Sequence, residues 1–189
     1  MMFRTAMAVL TLTAIASGAG PSAAPSAPAD ASGATLFFQN VRKLCGQRFE
    51  GATEFPRDDP SHPLAGKKLT ISVEQCSDNE IRIPLQAGED KSRTWILTLR
   101  DGRLLLKHDH RHDDGTPDKV TMYGGWAAEG DANRQRFPAD GDTARLIPEA
   151  ATNVWTLEID KAKEQFIYAL ERNGQPRYKA IFSLKATIP

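Results

Sequence analysis

Three histidines alternate along one short segment, and of all the residues in this chain they are the best placed to do chemistry. His108, His110 and His112 are separated by single residues, so on a β-strand they lie on the same face. Imidazole nitrogens bind first-row transition metals, and a carboxylate completes or orients many such sites. His108, His110 and Asp118, which follows the next turn, are therefore the candidate ligands of a divalent transition metal. A metal-binding protein or a metal-dependent enzyme that uses the His108/His110/His112 strand is the alternative to a non-catalytic ligand-binding barrel without a cofactor.

Other interpretations of these histidines stay open. The rings are also consistent with a polar rim that is solvated or paired with aspartates, with a catalytic role, or with pH sensing. An odd-numbered turn at 113–115 would place Asp118 opposite His110 and Val120 opposite His108. An even-numbered turn would bring a lysine opposite His110, which disfavours a cation site.

A second set of residues combines aromatic rings with basic and polar groups on neighbouring strands. Small-molecule cavities are mostly apolar, with a few polar groups that converge on the ligand. The ligand contacts that we predict on this basis are Arg82, Arg93, Trp95, His108 and Tyr123. Trp155 and Tyr168 are expected to form further walls of the cavity. The alternative is that the rings are ordinary core residues and the arginines lie on the outer face.

Familiar catalytic motifs do not occur in the sequence. It has no G-x-S-x-G, G-x-x-x-x-G-K-[ST], H-E-x-x-H or G-x-G-x-x-G pattern. No pair of carboxylates stands out as a general acid and base. We therefore predict no catalytic residues, and a binding role is favoured over an enzyme.

Short β-rich segments separated by turn residues must position these side chains. A helix is predicted at 34–44, and Asp101-Gly102 and Asn173-Gly174 are strong hairpin turns. Short links force antiparallel pairing, and closing the sheet removes its exposed edges. We expect an all-β, antiparallel up-and-down β-barrel with a short N-terminal helix, and a two-sheet sandwich is the alternative. The nine predicted strands are 47–53, 67–75, 80–86, 92–100, 103–111, 118–123, 153–160, 164–172 and 175–185, with a long loop at 124–151 that has room for one short element.

The start of the first predicted strand carries a resemblance to a known fold. The segment LCGQRFEG at 44–51 resembles the Gly-x-Trp motif at which lipocalin-type barrels begin, with Phe49 in place of the tryptophan and one residue further on. The stretches RIPLQAGEDKSRTWILTL and LKHDHRHDDGTPDKVTMYGG resemble uncharacterised secreted bacterial proteins. This likeness implies a lipocalin-like barrel that holds a small apolar or amphipathic ligand. It implies no activity, because a fold does not fix a function.

The N-terminal segment predicts export. Arg4 precedes an apolar run at 6–16, which is shorter than the roughly 20 residues that span a bilayer and suits a secretory signal peptide. We predict a signal peptide at 1–19, with the cut between 19 and 31, then a flexible Pro/Ala/Ser tether at 20–33 and one domain at 34–189. A secreted or periplasmic protein without a transmembrane anchor is expected.

The two cysteines fit that location. An oxidising compartment favours a disulfide between Cys45 and Cys76. In the chain-entropy model, closing a loop of this length stabilises a fold by about 3–4 kcal/mol.

Composition limits the remaining partners. The 24 basic residues balance the 24 acidic ones, whereas a generic nucleic-acid binder needs a basic excess. Two cysteines and four histidines exclude a multi-cysteine zinc or iron–sulfur site. A small molecule or an envelope protein is the partner that we expect.

Overall fold

A computed structural model describes residues 32–57, 59 and 61–185. The predicted signal peptide at 1–19 and most of the predicted tether at 20–33 lie outside the described residues. Helix α1 (Gly33–Arg42) begins at the end of that tether, where the Ser32 hydroxyl accepts a hydrogen bond from the Thr35 amide at 3.2 Å and caps the helix. None of the helices in this part of the chain has the length and apolar character needed to cross a membrane.

Eleven strands form one antiparallel sheet in the described part of the chain. Neighbouring strands are joined mostly by short turns, which is why their pairing is antiparallel. The predicted all-β antiparallel fold with a short N-terminal helix is therefore confirmed. The strands are β1 (Arg48–Phe55), β2 (Leu69–Ser72), β3 (Glu80–Ala87), β4 (Asp90–Arg100), β5 (Arg103–His110), β6 (Tyr123–Trp126), β7 (Glu129–Gly130), β8 (Arg134–Pro138), β9 (Asn153–Asp160), β10 (Gln165–Arg172) and β11 (Gln175–Ser183).

The sheet curls into a half-barrel whose two edges come from the middle of the chain. Its strand order is β6-β5-β4-β3-β2-β1-β11-β10-β9-β8-β7. The first and last strands pair directly, with Gly51 opposite Phe182, so this seam is closed. Strands β6 and β7 are the free edges, and the half-barrel is open between them, where the sequence analysis predicts a closed barrel. The reason is that β7 has only two residues and offers β6 almost no ladder.

A small polar link holds the two edges near each other. It joins β6 to α2 (Gly141–Leu146), which follows β8. The buried Thr143 hydroxyl accepts from the Gly124 amide at 2.7 Å and donates to the Gly124 carbonyl at 2.8 Å. The Asp140 amide donates to the same carbonyl at 2.9 Å. At Gly125 a side chain would collide with the Pro138 carbonyl, so this glycine permits the close approach.

The region 124–151, predicted as a long loop, is mostly regular structure. It contains most of β6, then β7, β8, α2 and a 3₁₀ helix at Pro148–Ala150. Its glycines signal a turn in sequence, but Gly124 and Gly125 lie within β6, where the chain passes close to Pro138 and Thr143. The sequence prediction for this region was therefore wrong.

The hydrophobic core lies inside the curl. Burial alternates along β3, where Ile81, Ile83 and Leu85 face inward. Helix α1 packs Phe37 and Phe38 into the core at the end of the β4–β5 hairpin that carries the turn.

The predicted disulfide is confirmed. The bond joins Cys45 and Cys76, whose Cα atoms are 6.3 Å apart. It ties the segment after α1 to the connection between β2 and β3.

Candidate functional site

A cavity of about 190 Å³ lies inside the curl, towards the end of the β4–β5 hairpin that is opposite α1. An engineered protein cavity of about 150 Å³ holds one benzene molecule, so this space suits a single-ring ligand. Most of its wall is aromatic. The rings that the strands contribute to the lining come from Trp95, His108, His110, Tyr123, Tyr168 and Tyr178.

Strand register brings four of the five predicted ligand contacts to this cavity. Trp95 lies opposite His108 in the β4–β5 ladder, and Arg93 lies opposite His110. His108 in turn lies opposite Tyr123 in the β5–β6 ladder. Residues directly opposite each other in an antiparallel pair share a face, so these side chains converge.

Arg82, the fifth predicted contact, lies on the outer face of the sheet. Its neighbours Ile81 and Ile83 point into the core, so the alternation of β3 turns Arg82 outward. Its Nε donates to Glu80 at 2.9 Å, and its guanidinium lies 3.9 Å from the Asp109 carboxylate. The structure therefore does not bring Arg82 to the cavity.

His108 is fixed in one tautomer by its surroundings. Its Nδ1 lies 3.2 Å from the Tyr123 carbonyl, which only accepts, so Nδ1 carries the hydrogen. Burial lowers the pKa of His108 to about 3. The ring is therefore neutral at physiological pH, and its Nε2 accepts from the Tyr168 hydroxyl at 2.9 Å. Both ring nitrogens are thus occupied.

The tyrosines around His108 keep their protons. Burial raises the pKa of Tyr123 to about 12 and that of Tyr168 well above its ordinary value. The Tyr123 hydroxyl lies 2.9 Å from Nε2 of His110, and burial lowers the pKa of that histidine too. Trp95 stacks on Tyr168 with ring centroids 4.4 Å apart, which fixes one wall of the cavity.

A loop between β1 and β2 covers part of the cavity. In this loop, His62 stacks on Tyr178 with ring centroids 4.5 Å apart, and the Leu64 side chain is buried. Thr53 donates its only hydroxyl hydrogen to the Leu64 carbonyl at 3.0 Å. The Tyr178 hydroxyl, 3.0 Å from the Thr53 hydroxyl, must therefore donate to it. These bonds hold the loop against β11.

Arg93 stands at the side of the cavity with its charge partly paired. Its Nη1 donates to the Asp90 carboxylate and, at 3.3 Å, to the Ser92 hydroxyl. Burial opposes ionisation of Asp90, but hydrogen bonds from Ser92 and Arg93 lower its pKa below the usual range. The ion pair holds the guanidinium beside the aromatic rings.

The predicted metal ligands are only partly brought together. The Asp118 amide donates to the His110 carbonyl at 2.9 Å, so these two residues are neighbours, as an odd-numbered turn requires. The Asp118 carboxylate accepts from the Val120 amide at 2.8 Å. His112 is exposed in the turn. Among the described residues, no group of three His, Cys, Asp or Glu side chains is arranged to hold a metal ion.

The strand register changes just beyond that turn. His108 lies opposite Tyr123, not opposite Val120 as an uninterrupted hairpin predicts. The Thr121 hydroxyl accepts from the His110 amide at 2.7 Å and replaces a ladder bond there. Residues 119–122 therefore leave the ladder, and Tyr123 is placed against the histidine.

Sequence reasoning missed several residues that line the cavity. His62 and Pro63 lie in a loop that has no periodic pattern to reveal which way it folds. Tyr178 alternates with Ala180 and Phe182 along β11, a signal that predicts an inward position but does not distinguish a core residue from a cavity residue. Trp155, predicted as a wall, is buried behind the lining, with its ring centroid 5.1 Å from that of His108.

Comparison with known proteins gives no match from which a role could be inferred, so the geometry of the cavity is the basis for a proposal. No protein-family model matches the chain, and no curated protein shows significant sequence similarity to it.

Proposed function

We propose that this protein is an exported, lipocalin-like barrel that binds a small ligand without catalysis. The observation that carries the proposal is the aromatic cavity inside the curl, with its volume of about 190 Å³. Ligand cavities of this kind are mostly apolar and preformed, with a few fixed polar groups. A single-ring molecule would bury most of its surface against Trp95, Tyr123 and Tyr168.

The fixed hydrogen bonds of the lining favour binding over catalysis. The hydroxyl hydrogens of Tyr168 and Tyr178 are already donated to His108 and Thr53. A general acid or base has to exchange its proton with the substrate near the working pH. His108 titrates at about pKa 3 because it is buried, which makes it a poor base at neutral pH.

Export is supported by two features of the chain. The disulfide between Cys45 and Cys76 is typical of proteins in oxidising compartments. The apolar run at 6–16 after Arg4 is typical of a signal peptide. We propose a secreted or periplasmic location on these grounds, and an envelope protein partner stays a prediction from the sequence.

Blocking the cavity tests the binding proposal. Leu170 lines the cavity, so Leu170→Trp fills part of the space with an indole ring. Leu146→Trp is the matched control, because Leu146 is 41% exposed on α2. Fragment screening by ligand-observed NMR should detect single-ring binders to the wild type and to L146W. The same fragments should bind L170W with an affinity at least tenfold lower.

The outcome that would overturn the proposal is equally direct. Fragments that bind L170W as well as the wild type would place binding elsewhere, and a screen without any binder would remove the proposed function. Native mass spectrometry of the purified protein gives an independent measurement of any small molecule that is retained.

A further inference from the structure

The cavity carries one formal charge. Among the described residues that line it, Arg93 is the only Arg, Lys, Asp or Glu. Burial lowers the pKa values of His62, His108 and His110, so these rings are neutral around pH 7. The electrostatics of the cavity are therefore set mainly by one guanidinium group.

Much of that guanidinium is still free to bind. An arginine has five N–H donors, and the two on Nη1 are directed at Asp90 and Ser92. Within residues 32–57, 59 and 61–185, no protein acceptor is hydrogen-bonded to Nε or Nη2 of Arg93. The Nε/Nη2 edge of an arginine is a fork that can donate two parallel hydrogen bonds to a carboxylate. The side chain is only 19% exposed, so a bond made there is partly shielded from water.

The other polar groups of the wall offer few competing donors. Tyr168 and Tyr178 have given their hydroxyl hydrogens to protein acceptors. Their oxygens can accept but cannot donate without breaking those bonds. Arg93 is thus the charged donor among the described residues that line the cavity.

The surrounding charges disfavour a cationic ligand. After burial, the largest influence on the pKa of His110 is the positive charge of Arg93, which lowers it. Aspartates 118, 109 and 90 oppose this effect, each with a smaller influence than Arg93. Aromatic walls alone also suit a quaternary ammonium ion, but a guanidinium beside them repels one.

We propose that the ligand is a small monocarboxylate, with its carboxylate paired to the Nε/Nη2 edge of Arg93 and its apolar ring among Trp95, Tyr123 and Tyr168. This inference rests on the proposed function. A single charge fits better than the double charge of a phosphate, because Asp90 already neutralises part of the one cation available. Asp90 acts as a positioning residue that holds the guanidinium in place.

Three single-ring probes of matched shape test the proposal. Benzoate carries the carboxylate, benzamide is its neutral isostere, and benzylammonium is the cation. Isothermal titration and chemical-shift mapping at pH 7 should give benzoate an affinity at least tenfold higher than benzamide, with benzylammonium weakest. Shifts should centre on residues 93–95, 108 and 123.

Variants locate the source of the preference. Arg93→Gln should reduce the benzoate-to-benzamide ratio to within about twofold, and Arg93→Lys should retain part of it because Lys is a point charge without the fork. Lys91→Gln is the matched control, since it removes an equal charge from the same strand, but Lys91 is exposed and lines a separate surface pocket with Arg48 and Gln86. K91Q should keep the wild-type ratio.

The possible results separate the two proposals. If benzamide binds as tightly as benzoate, or if R93Q keeps the preference, the carboxylate assignment is wrong while the cavity remains a binding site. If none of the three probes binds, and fragment screening finds no other ligand, both proposals fail. If R93Q does not fold, as judged by its thermal transition, the wild-type ratio and R93K still decide the assignment.

Discussion

The two faces of β5 each bury a polar group, but the group on the inner face is neutral and the one on the outer face is ion-paired. On the inner face His108 is 3% exposed, and on the outer face its neighbour Asp109 is 4% exposed. The inner ring is held neutral by burial, with tyrosines and a carbonyl as its partners. The outer carboxylate is surrounded by Arg111, with Nε at 2.9 Å, by Arg82 and by the Thr121 hydroxyl at 3.1 Å.

The difference comes from the access of each face to water and to solvated charged partners. Inside the curl, a charge would be cut off from water, so a group that can lose its charge does so. On the outside, Arg111 is half exposed and keeps its solvation while it pairs with the buried carboxylate. One strand therefore presents an uncharged cavity wall on one side. On the other it carries the ion pairs of Asp109 with Arg111 and Arg82, here called the ionic brace.

The largest expected effect concerns the neutral wall and its dependence on pH. The pKa of His108 is about 3 in the folded chain because of burial, against 6.5 for a free histidine. As the pH falls below 6.5 the unfolded chain takes up a proton at this residue and the folded chain does not, so stability is lost down to about pH 3. Between pH 7 and pH 4.5 this amounts to about 3 kcal/mol of unfolding free energy.

His108→Asn should remove that part of the pH dependence. Asparagine keeps one donor and one acceptor but does not titrate. Unfolding free energies measured by urea denaturation at pH 7 and pH 4.5 should therefore give a smaller slope of free energy against pH, without the contribution of His108. Exposed His112→Asn is the control and should leave the slope unchanged. His62 and His110 titrate in both proteins, so the difference isolates His108. Equal slopes for H108N and the wild type would contradict the neutral, buried assignment.

The ionic brace should give a smaller effect. Asp109→Asn replaces a carboxylate that receives charge-assisted hydrogen bonds, and we expect a loss of about 2 kcal/mol in unfolding free energy at pH 7. Asp113→Asn, in the exposed turn, is the matched control and should change stability little. Chemical denaturation of both variants measures the difference. A D109N protein as stable as D113N would mean that the brace contributes nothing.

The smallest effect is expected from added metal. Both nitrogens of His108 are hydrogen-bonded, and the Asp118 carboxylate accepts from the Val120 amide. Zinc or nickel would have to break the hydrogen bonds of His108, so tag-free protein should show no rise in melting temperature in their presence. Tyr123→Phe frees Nε2 of His110 and should be the variant that gains some response. A clear stabilisation of the wild type would instead support the metal site predicted from the sequence.

Sequence patterns were most informative where the chain is locally regular. The predicted strand at 153–160 matches β9 (Asn153–Asp160), and the hairpin turns Asp101-Gly102 and Asn173-Gly174 join β4 to β5 and β10 to β11. Alternation also predicted that Arg93 and Trp95 share a face of one strand, and that His108 and His110 share a face of the next. Such features depend on neighbouring residues, which a sequence displays directly.

Features that depend on specific tertiary contacts were harder to predict from the sequence. The register at Tyr123 depends on the Thr121 hydroxyl, and no periodicity signals that substitution for a ladder bond. The outward position of Arg82 follows from the bulk of Ile81 and Ile83 on the other face of β3, and the sequence offered both faces as candidates for the interior. The loop carrying His62 is fixed by a hydrogen bond from Thr53 on β1 and by the stacking of His62 on Tyr178, which is remote in the chain.

The closed seam between β1 and β11 has a consequence for the order of folding. Strands β1 to β6 form one continuous meander and β7 to β11 another, and within the described residues the ladder that joins the two meanders is the one between β1 and β11. Closing so long a loop carries a large entropic penalty, so we expect each meander to form first and this ladder last. Pulsed hydrogen exchange should then protect amides in β4 and β10 before those paired across β1 and β11. Protection at the seam that appears with or before the hairpins would contradict this order.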